Sequence, residues 1–350
     1  MARTAIARSP ERCRLIIPVA MPTAVIDIGT NTLLLLIVGE AMQPLVDLCR
    51  FGRLGKGLDA TGRLAEDAIA ASLAICREYR QVMDQHGVGR PIVIATQAMR
   101  EAKNAADFIG PAEAILNASI EVIGGPREAQ LAATAVARTF PEFAAVRYLV
   151  VDVGGGSTEL IVVDGGRVLS EVSVPIGAVR LTERHLKHDP PTADEIAALV
   201  ADIDEHLAPL ALPHAVSVIG TAGTATTLAA IKLGLTRYDA AAVTGLRITP
   251  GAVAALLARL FAATVTERKA IPGMEPGRAD VIAAGAAIFA RILQRIDAPV
   301  LITCDRGIRW GVIYEQLPAF ADGPLLRGVH RPPGTDPFRV PGARPAGRRQ

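Results

Sequence analysis

Two α/β domains facing one another across a cleft are what this sequence predicts, and three observations predict them. A turn motif occurs twice: Ile26-Asp27-Ile28-Gly29-Thr30-Asn31-Thr32 runs into the apolar stretch Leu33 to Val38, and Val151-Asp152-Val153-Gly154-Gly155-Gly156-Ser157 runs into Thr158 to Val163. Segments of β and helical character alternate after each copy. The chain has 350 residues, 50% of them hydrophobic, which is enough for two ordinary cores. The copies stand too far apart for a solenoid and suit one copy per domain.

The elements follow in order. After an N-terminal extension of residues 1–21, the first domain, 22–146, has strands at Ala24 to Ile28, Leu33 to Val38, Pro91 to Ala95 and Ser119 to Ile123. Glu66 to Gln85 carries apolar residues at helical spacing and is closed by Gly87, and further helices are expected at Asn104 to Leu116 and Arg127 to Thr139. That order reads as a β-β-β-α-β-α-β unit. The second domain, 147–319, repeats it with strands Tyr148 to Val153, Thr158 to Val163 and Arg167 to Val174, a helix Ala193 to Leu207 and the strand Ala215 to Ile219. Helices Thr224 to Lys232, Pro250 to Ala262 and Arg278 to Ile296 follow, then the strand Pro299 to Thr303. A last helix runs from Arg306 toward Leu317 and is expected to pack back on the first domain. Residues 320–350 are rich in Pro, Gly and Arg and are read as a disordered tail, since they cannot bury enough apolar surface to fold. Two ribonuclease-H-like domains with an interdomain cleft are the economical architecture.

Composition narrows the function. A formal net charge of +2 gives no global basic field, so DNA is not an expected partner. Cys13, Cys49, Cys76 and Cys304 form no CxxC pair and have no His ligands nearby, which argues against a zinc site or a disulfide framework and for reduced thiols. No apolar run is long enough to span a bilayer, and the Leu15 to Ala20 stretch is a poor secretory core. A cytoplasmic protein without a membrane partner is the expectation.

The turns suggest a phosphate clamp. A hairpin tip built from Gly29, Thr30, Asn31 and Thr32, or from Gly154, Gly155, Gly156 and Ser157, presents backbone N–H groups and a hydroxyl to an anion. The strand-end aspartates Asp27 and Asp152 can hold a divalent cation through water. Three consecutive glycines carry an entropic cost that a plain hairpin does not require and a closely approaching backbone does. A third element, Gly220 to Thr224, feeds a strand into a helix start, where Gly223 and Thr224 would meet an anion. None of the three turns is a Walker A loop.

These residues, with Arg53-Leu54-Gly55-Lys56-Gly57-Leu58, Ala95-Thr96-Gln97-Ala98-Met99-Arg100, Ile123-Gly124-Gly125-Pro126-Arg127-Glu128-Ala129, Gly177-Ala178-Val179-Arg180-Leu181-Thr182 and Asp305-Arg306-Gly307, resemble the Ppx/GppA family in its short two-domain form. The family comprises exopolyphosphatases and guanosine pentaphosphate phosphohydrolases. The resemblance implies an actin-like ATPase fold, Mg²⁺ dependence and hydrolysis of the terminal phosphate of inorganic polyphosphate or of pppGpp, an alarmone of the stringent response. It places the catalytic carboxylate on Glu128, which local sequence alone reads as an ordinary first-turn glutamate. Arg127 stands where many members have a second acidic residue. Asp27, Asp152 and Glu159 are the metal candidates, although strand alternation could turn Glu159 away. Arg100 and Arg180 are candidates for phosphate contacts, with surface roles as the alternative, and Thr158 joins the phosphate-binding set. Arg184, His185, Lys187 and His188 would extend a basic path or form a solvated helix face. The expected activity is an exopolyphosphatase working as a homodimer. A pppGpp phosphohydrolase, an alarmone-binding regulator with little turnover, or a kinase of the same fold are the rivals.

Overall fold

A computed structural model of the chain describes residues 22–316. The extension 1–21, the tail 320–350 and Cys13 therefore lie outside the described residues.

The first sheet has five strands: β1 (Thr23–Ile28), β2 (Leu33–Val38), β3 (Pro44–Arg50), β4 (Ile92–Ala95) and β5 (Ile120–Val122), in the order β3-β2-β1-β4-β5. The first three are antiparallel, and β4 and β5 continue parallel to β1. The second sheet repeats this scheme with β6 (Tyr148–Val153), β7 (Thr158–Asp164), β8 (Arg167–Val174), β9 (Ser217–Thr221), β10 (Arg247–Ile248) and β11 (Leu301–Thr303), ordered β10-β11-β9-β6-β7-β8. The added strand, β10, pairs antiparallel with β11 at the edge. The two sheets with their helices form the α/β, ribonuclease-H-like pair that the duplicated turn predicts.

Local chemistry explains the elements. Helix Glu66–Gln85 buries Ala68, Ser72, Cys76, Tyr79 and Met83, a stripe at the period of an α-helix, against the first sheet, and the Tyr79 hydroxyl donates to Leu33 O at 2.7 Å. Helix Ala193–Leu207 opens on a capping box formed by Thr192 and Glu195. The helix expected from Arg278 begins instead at Ile282, because Pro276–Arg278 forms a 3₁₀ turn in which Gly277 packs on the Phe51 ring.

Helix Gly125–Thr139 is buried on both flanks. Ala129, Ala133 and Val136 pack with Tyr148, Val150, Ile161 and Ile219 of the second sheet. Leu131 and Ala135 pack with Val25, Leu36 and Ile94 of the first sheet and with Trp310 and Ile313 of the final helix Ile308–Gln316. Alanines fill these positions because a helix wedged between two sheets has little room for longer side chains. Gly311 lets the final helix approach: a Cβ there would lie 2.2 Å from Leu131 O. This wedge carries Glu128 in its first turn, so the packing of both sheets fixes where that carboxylate sits.

Candidate active site

The two hairpin tips have the same geometry. Gly29 N–H donates to Thr32 O at 2.9 Å, and Gly154 N–H donates to Ser157 O at 3.0 Å. Asp27 and Asp152 each stand two residues before their turn, with Asp152 paired in register to Glu159. The first tip is braced by the Arg53 to Leu58 segment, whose Gly55 N–H donates to Thr30 O at 2.7 Å and whose Arg53 N–H donates to Asn31 O at 3.0 Å. The tips meet across the interdomain boundary. A Cβ on Gly155 would lie 3.0 Å from the Thr30 Cβ, and one on Gly156 would lie 2.4 Å from Gln97 Oε1, so a side chain at either position requires Thr30 or Gln97 to shift.

Around these tips lies a cleft of about 570 Å³. Asp27, Gly29 to Thr32, Glu128, Asp152, Gly154 to Ser157, Glu159, Gly223 and Thr224 all line it. Sequence positions from both halves of the chain thus converge on one cavity.

Its floor is a set of carboxylates, of which Asp27, Glu128 and Glu159 are buried and Asp152 is partly buried. Asp27 is pushed up to about 7 by burial, with Arg309 opposing and Asp152 adding to the rise. Asp152 is pushed up to about 6 by burial, although the Thr221 hydroxyl, donating to its Oδ2 at 2.8 Å, favours the charged form. Glu128 is also raised by burial, against the pull of Arg100, whose guanidinium is ion-paired with it and also donates to Ile123 O at 2.5 Å. Glu159 is raised by burial and by the charges of Glu128 and Asp152, and its Oε1 accepts from Ser157 Oγ at 2.8 Å and Ser173 Oγ at 2.7 Å. Burial dominates in each case because desolvation disfavours the ionised form.

The donor set suits a magnesium ion in part. Asp27 Oδ1 is buried and has no hydrogen-bond partner in the protein, and Asp152 is close enough to perturb it. Two hard carboxylate oxygens match an ion that keeps waters and takes substrate phosphate oxygens. Among the described residues no group of three or more His, Cys, Asp or Glu side chains forms a metal-binding cluster, and Glu159 is engaged by two serine hydroxyls. Asp27 and Asp152 are thus the residues that fit, without Glu159 as a third direct ligand.

Several other candidates sit elsewhere. Thr158 does not reach the cleft: it is fully buried, and its hydroxyl donates to Ile176 O at 2.6 Å. Gly220 is a packing position, where a Cβ would meet Leu301, Phe289 and Ala225. Arg180 is a clamp between the halves, donating to Gly156 O at 2.9 Å while paired with Asp59 and, at 2.6 Å, with Glu101. Most of the candidate basic path is engaged by carboxylates: Arg184 pairs with Asp59 and Asp202, His185 with Asp202, and His188 with Glu195, while Lys187 Nζ donates to Glu183 O. Arg127 turns from the site to Glu315 of the final helix, with Nη1 to Oε1 at 2.8 Å.

The structure also adds residues that sequence reasoning passed over. Gln97 lines the cleft with a buried, unpartnered Oε1. Arg278 crosses from the second half to lie over Gly223, with Nη2 3.7 Å from Cys49 Sγ and its guanidinium 5.8 Å from the Phe51 ring centre. Ala222 holds a left-handed φ of 60° at the start of helix Ala222–Leu233, a costly conformation for a residue with a Cβ, at the cleft wall. Gln97 and Ala222 lie inside segments already singled out; nothing local marks Arg278. Cys49, Cys76 and Cys304 are free, and no described helix is long and apolar enough to cross a membrane.

Comparison with known proteins identifies the family. The model of the Ppx/GppA phosphatase family matches residues 35–320. Exopolyphosphatase 2 of Mycobacterium tuberculosis is 37% identical over 289 residues, 78% of this chain and 90% of that protein. A solved exopolyphosphatase from Cytophaga hutchinsonii superposes with a TM-score of 0.76 at 31% identity, covering 84% of this chain and 96% of the other. The type II variant structure of the Aquifex aeolicus Ppx/GppA phosphatase gives 0.67 at 34% identity, covering 85% and 100%. The chain belongs to the Ppx/GppA phosphatase family.

Proposed function

We propose that the chain is an exopolyphosphatase that hydrolyses the terminal phosphoanhydride bond of inorganic polyphosphate. The observation that carries this reading is Glu128, a buried carboxylate raised toward neutrality and held by Arg100 beside two facing glycine tips. The amides and hydroxyls of Gly29 to Thr32 and Gly154 to Ser157 bind the phosphate oxygens, and Glu128 accepts the proton of a water attacking the end phosphorus in line. A bond forms from the water oxygen to phosphorus, the bridging P–O bond breaks, and the shortened chain leaves with that oxygen. Arg100 holds the Glu128 carboxylate in one orientation. Asp27 and Asp152 would hold Mg²⁺, which supplies charge neutralisation of the phosphates and of the developing transition state.

A pppGpp phosphohydrolase is the second reading, favoured by Tyr238, whose exposed ring lines the cleft with Leu34, Leu48 and Ile282 and offers a surface for a purine. The proposal includes a homodimer as the working form; sedimentation showing only monomer at assay concentration would remove it. Phosphate release from polyphosphate of defined lengths and from pppGpp, with and without Mg²⁺, tests the whole. Preference for polyphosphate supports the first reading and preference for pppGpp the second. Tight binding of either without turnover would make the chain a regulator.

A further inference from the structure

We propose that a second groove, on the far side of Glu128 from the cleft, is an outlet for orthophosphate, so that a polyphosphate chain stays in place between cuts. This rests on the exopolyphosphatase reading. The groove is about 430 Å³, against the roughly 30 Å³ that a water occupies in the liquid, and Gln97, Arg100, Glu101, Gly125, Glu171 and Ser173 line it. It reaches solvent past Glu101, Ser173 and Pro175, all exposed.

Polar side chains that line the groove touch polar side chains that line the cleft. Arg100 lines the groove and is ion-paired with Glu128, which lines the cleft. Ser173 lines the groove and donates at 2.7 Å to Glu159, which lines the cleft. Gln97 lines both, and its buried Oε1 has no partner in the protein. Packed apolar side chains would resist opening. Here opening requires the partly exposed Arg100 side chain to leave Glu128 and the buried Gln97 side chain to turn from Glu101, with no apolar layer to unpack.

End-wise hydrolysis creates the need. The product phosphate forms at the chain end lying against Glu128, so the remaining polyanion stands between it and the mouth of the cleft. On the other side lie the Arg100 guanidinium and the Ser173 hydroxyl. Glu101, paired with Arg180 at 2.6 Å, and Glu171 give the lining acidic as well as basic groups, which suits passage rather than retention.

The test plugs the groove from residues that do not touch the cleft. In separate Glu171→Trp and Pro175→Trp variants, steady-state release from long polyphosphate should fall fivefold or more. The first-turnover burst should persist, and turnover of tripolyphosphate, whose pyrophosphate product leaves by the cleft after one cut and clears the way for orthophosphate, should stay within twofold of the parent. The thermal midpoint shows that each variant is folded. Unchanged long-chain turnover in both folded variants, or equal slowing of both substrates, overturns the outlet while leaving the hydrolase reading intact. A parent chain that releases no phosphate from polyphosphate overturns the hydrolase reading, and the outlet falls with it.

Discussion

Asp27 is a residue whose removal should strengthen the fold while destroying the site. In the metal-free protein its carboxyl is raised from 3.8 to about 7, chiefly by burial. A raised acid favours folding only while protonated, so the folded state binds the proton more tightly than the unfolded chain. Stability is therefore full below pH 3.8 and is lost as pH rises to about 7. That interval, at about 1.4 kcal/mol per pH unit, amounts to roughly 4 kcal/mol at pH 8 and roughly 1.6 kcal/mol at pH 5. Asp27→Asn keeps the shape without the charge. Thermal unfolding in a chelator should show the variant more stable than the parent, with the gap widening from pH 5 to pH 8 by several degrees at about 2–4 °C per kcal/mol. Added Mg²⁺ should raise the parent at pH 8 and leave the variant unmoved, while activity is lost. A variant no more stable than the parent at pH 8 would refute the burial argument.

Three other perturbations follow from the same contacts. Arg100→Met removes the cation that holds Glu128 down, so the acidic limb of the kcat/KM profile should move to higher pH; an unmoved limb would separate the pair from catalysis. Gly156→Ala forces a Cβ to 2.4 Å from Gln97 Oε1 and 3.2 Å from Thr30 Oγ1, and kcat/KM should fall at least tenfold; parent-like activity would mean that the tips need not abut. Gly311→Ala pushes the final helix off Leu131 O and should cost about 1–3 kcal/mol in denaturant unfolding, with no loss showing that the helix is not held as described.

Much of this architecture was legible because apolar runs and turns reinforce one another. Leu33–Val38 and Tyr148–Val153 are nearly continuous apolar strands beside glycine turns, and the turn is repeated, so strand and site were read together. β3 was not delimited, because it is a half-exposed edge strand carrying Asp47 and Arg50 in which no face is uniformly apolar. Glu128 needed the family resemblance, since a glutamate in a first helical turn is ordinary. Only the sandwiching of helix Gly125–Thr139 between both sheets makes it a buried acid. Arg180 misled for the opposite reason: its partners Asp59 and Glu101 come from the other half of the chain, and no local pattern shows that the guanidinium is engaged. Thr158 adjoins the cleft-lining Ser157 and Glu159 but points into the core, because neighbouring strand residues face opposite sides, and the glycine at 220 leaves room for the core side chains of Phe289 and Leu301.

Glu128→Gln assayed for phosphate release from polyphosphate with Mg²⁺ tests the central claim most directly. Loss of a general base should lower kcat by about 10²–10⁴-fold, with polyphosphate binding and thermal midpoint kept. A folded Glu128→Gln protein with parent-like kcat would contradict the account.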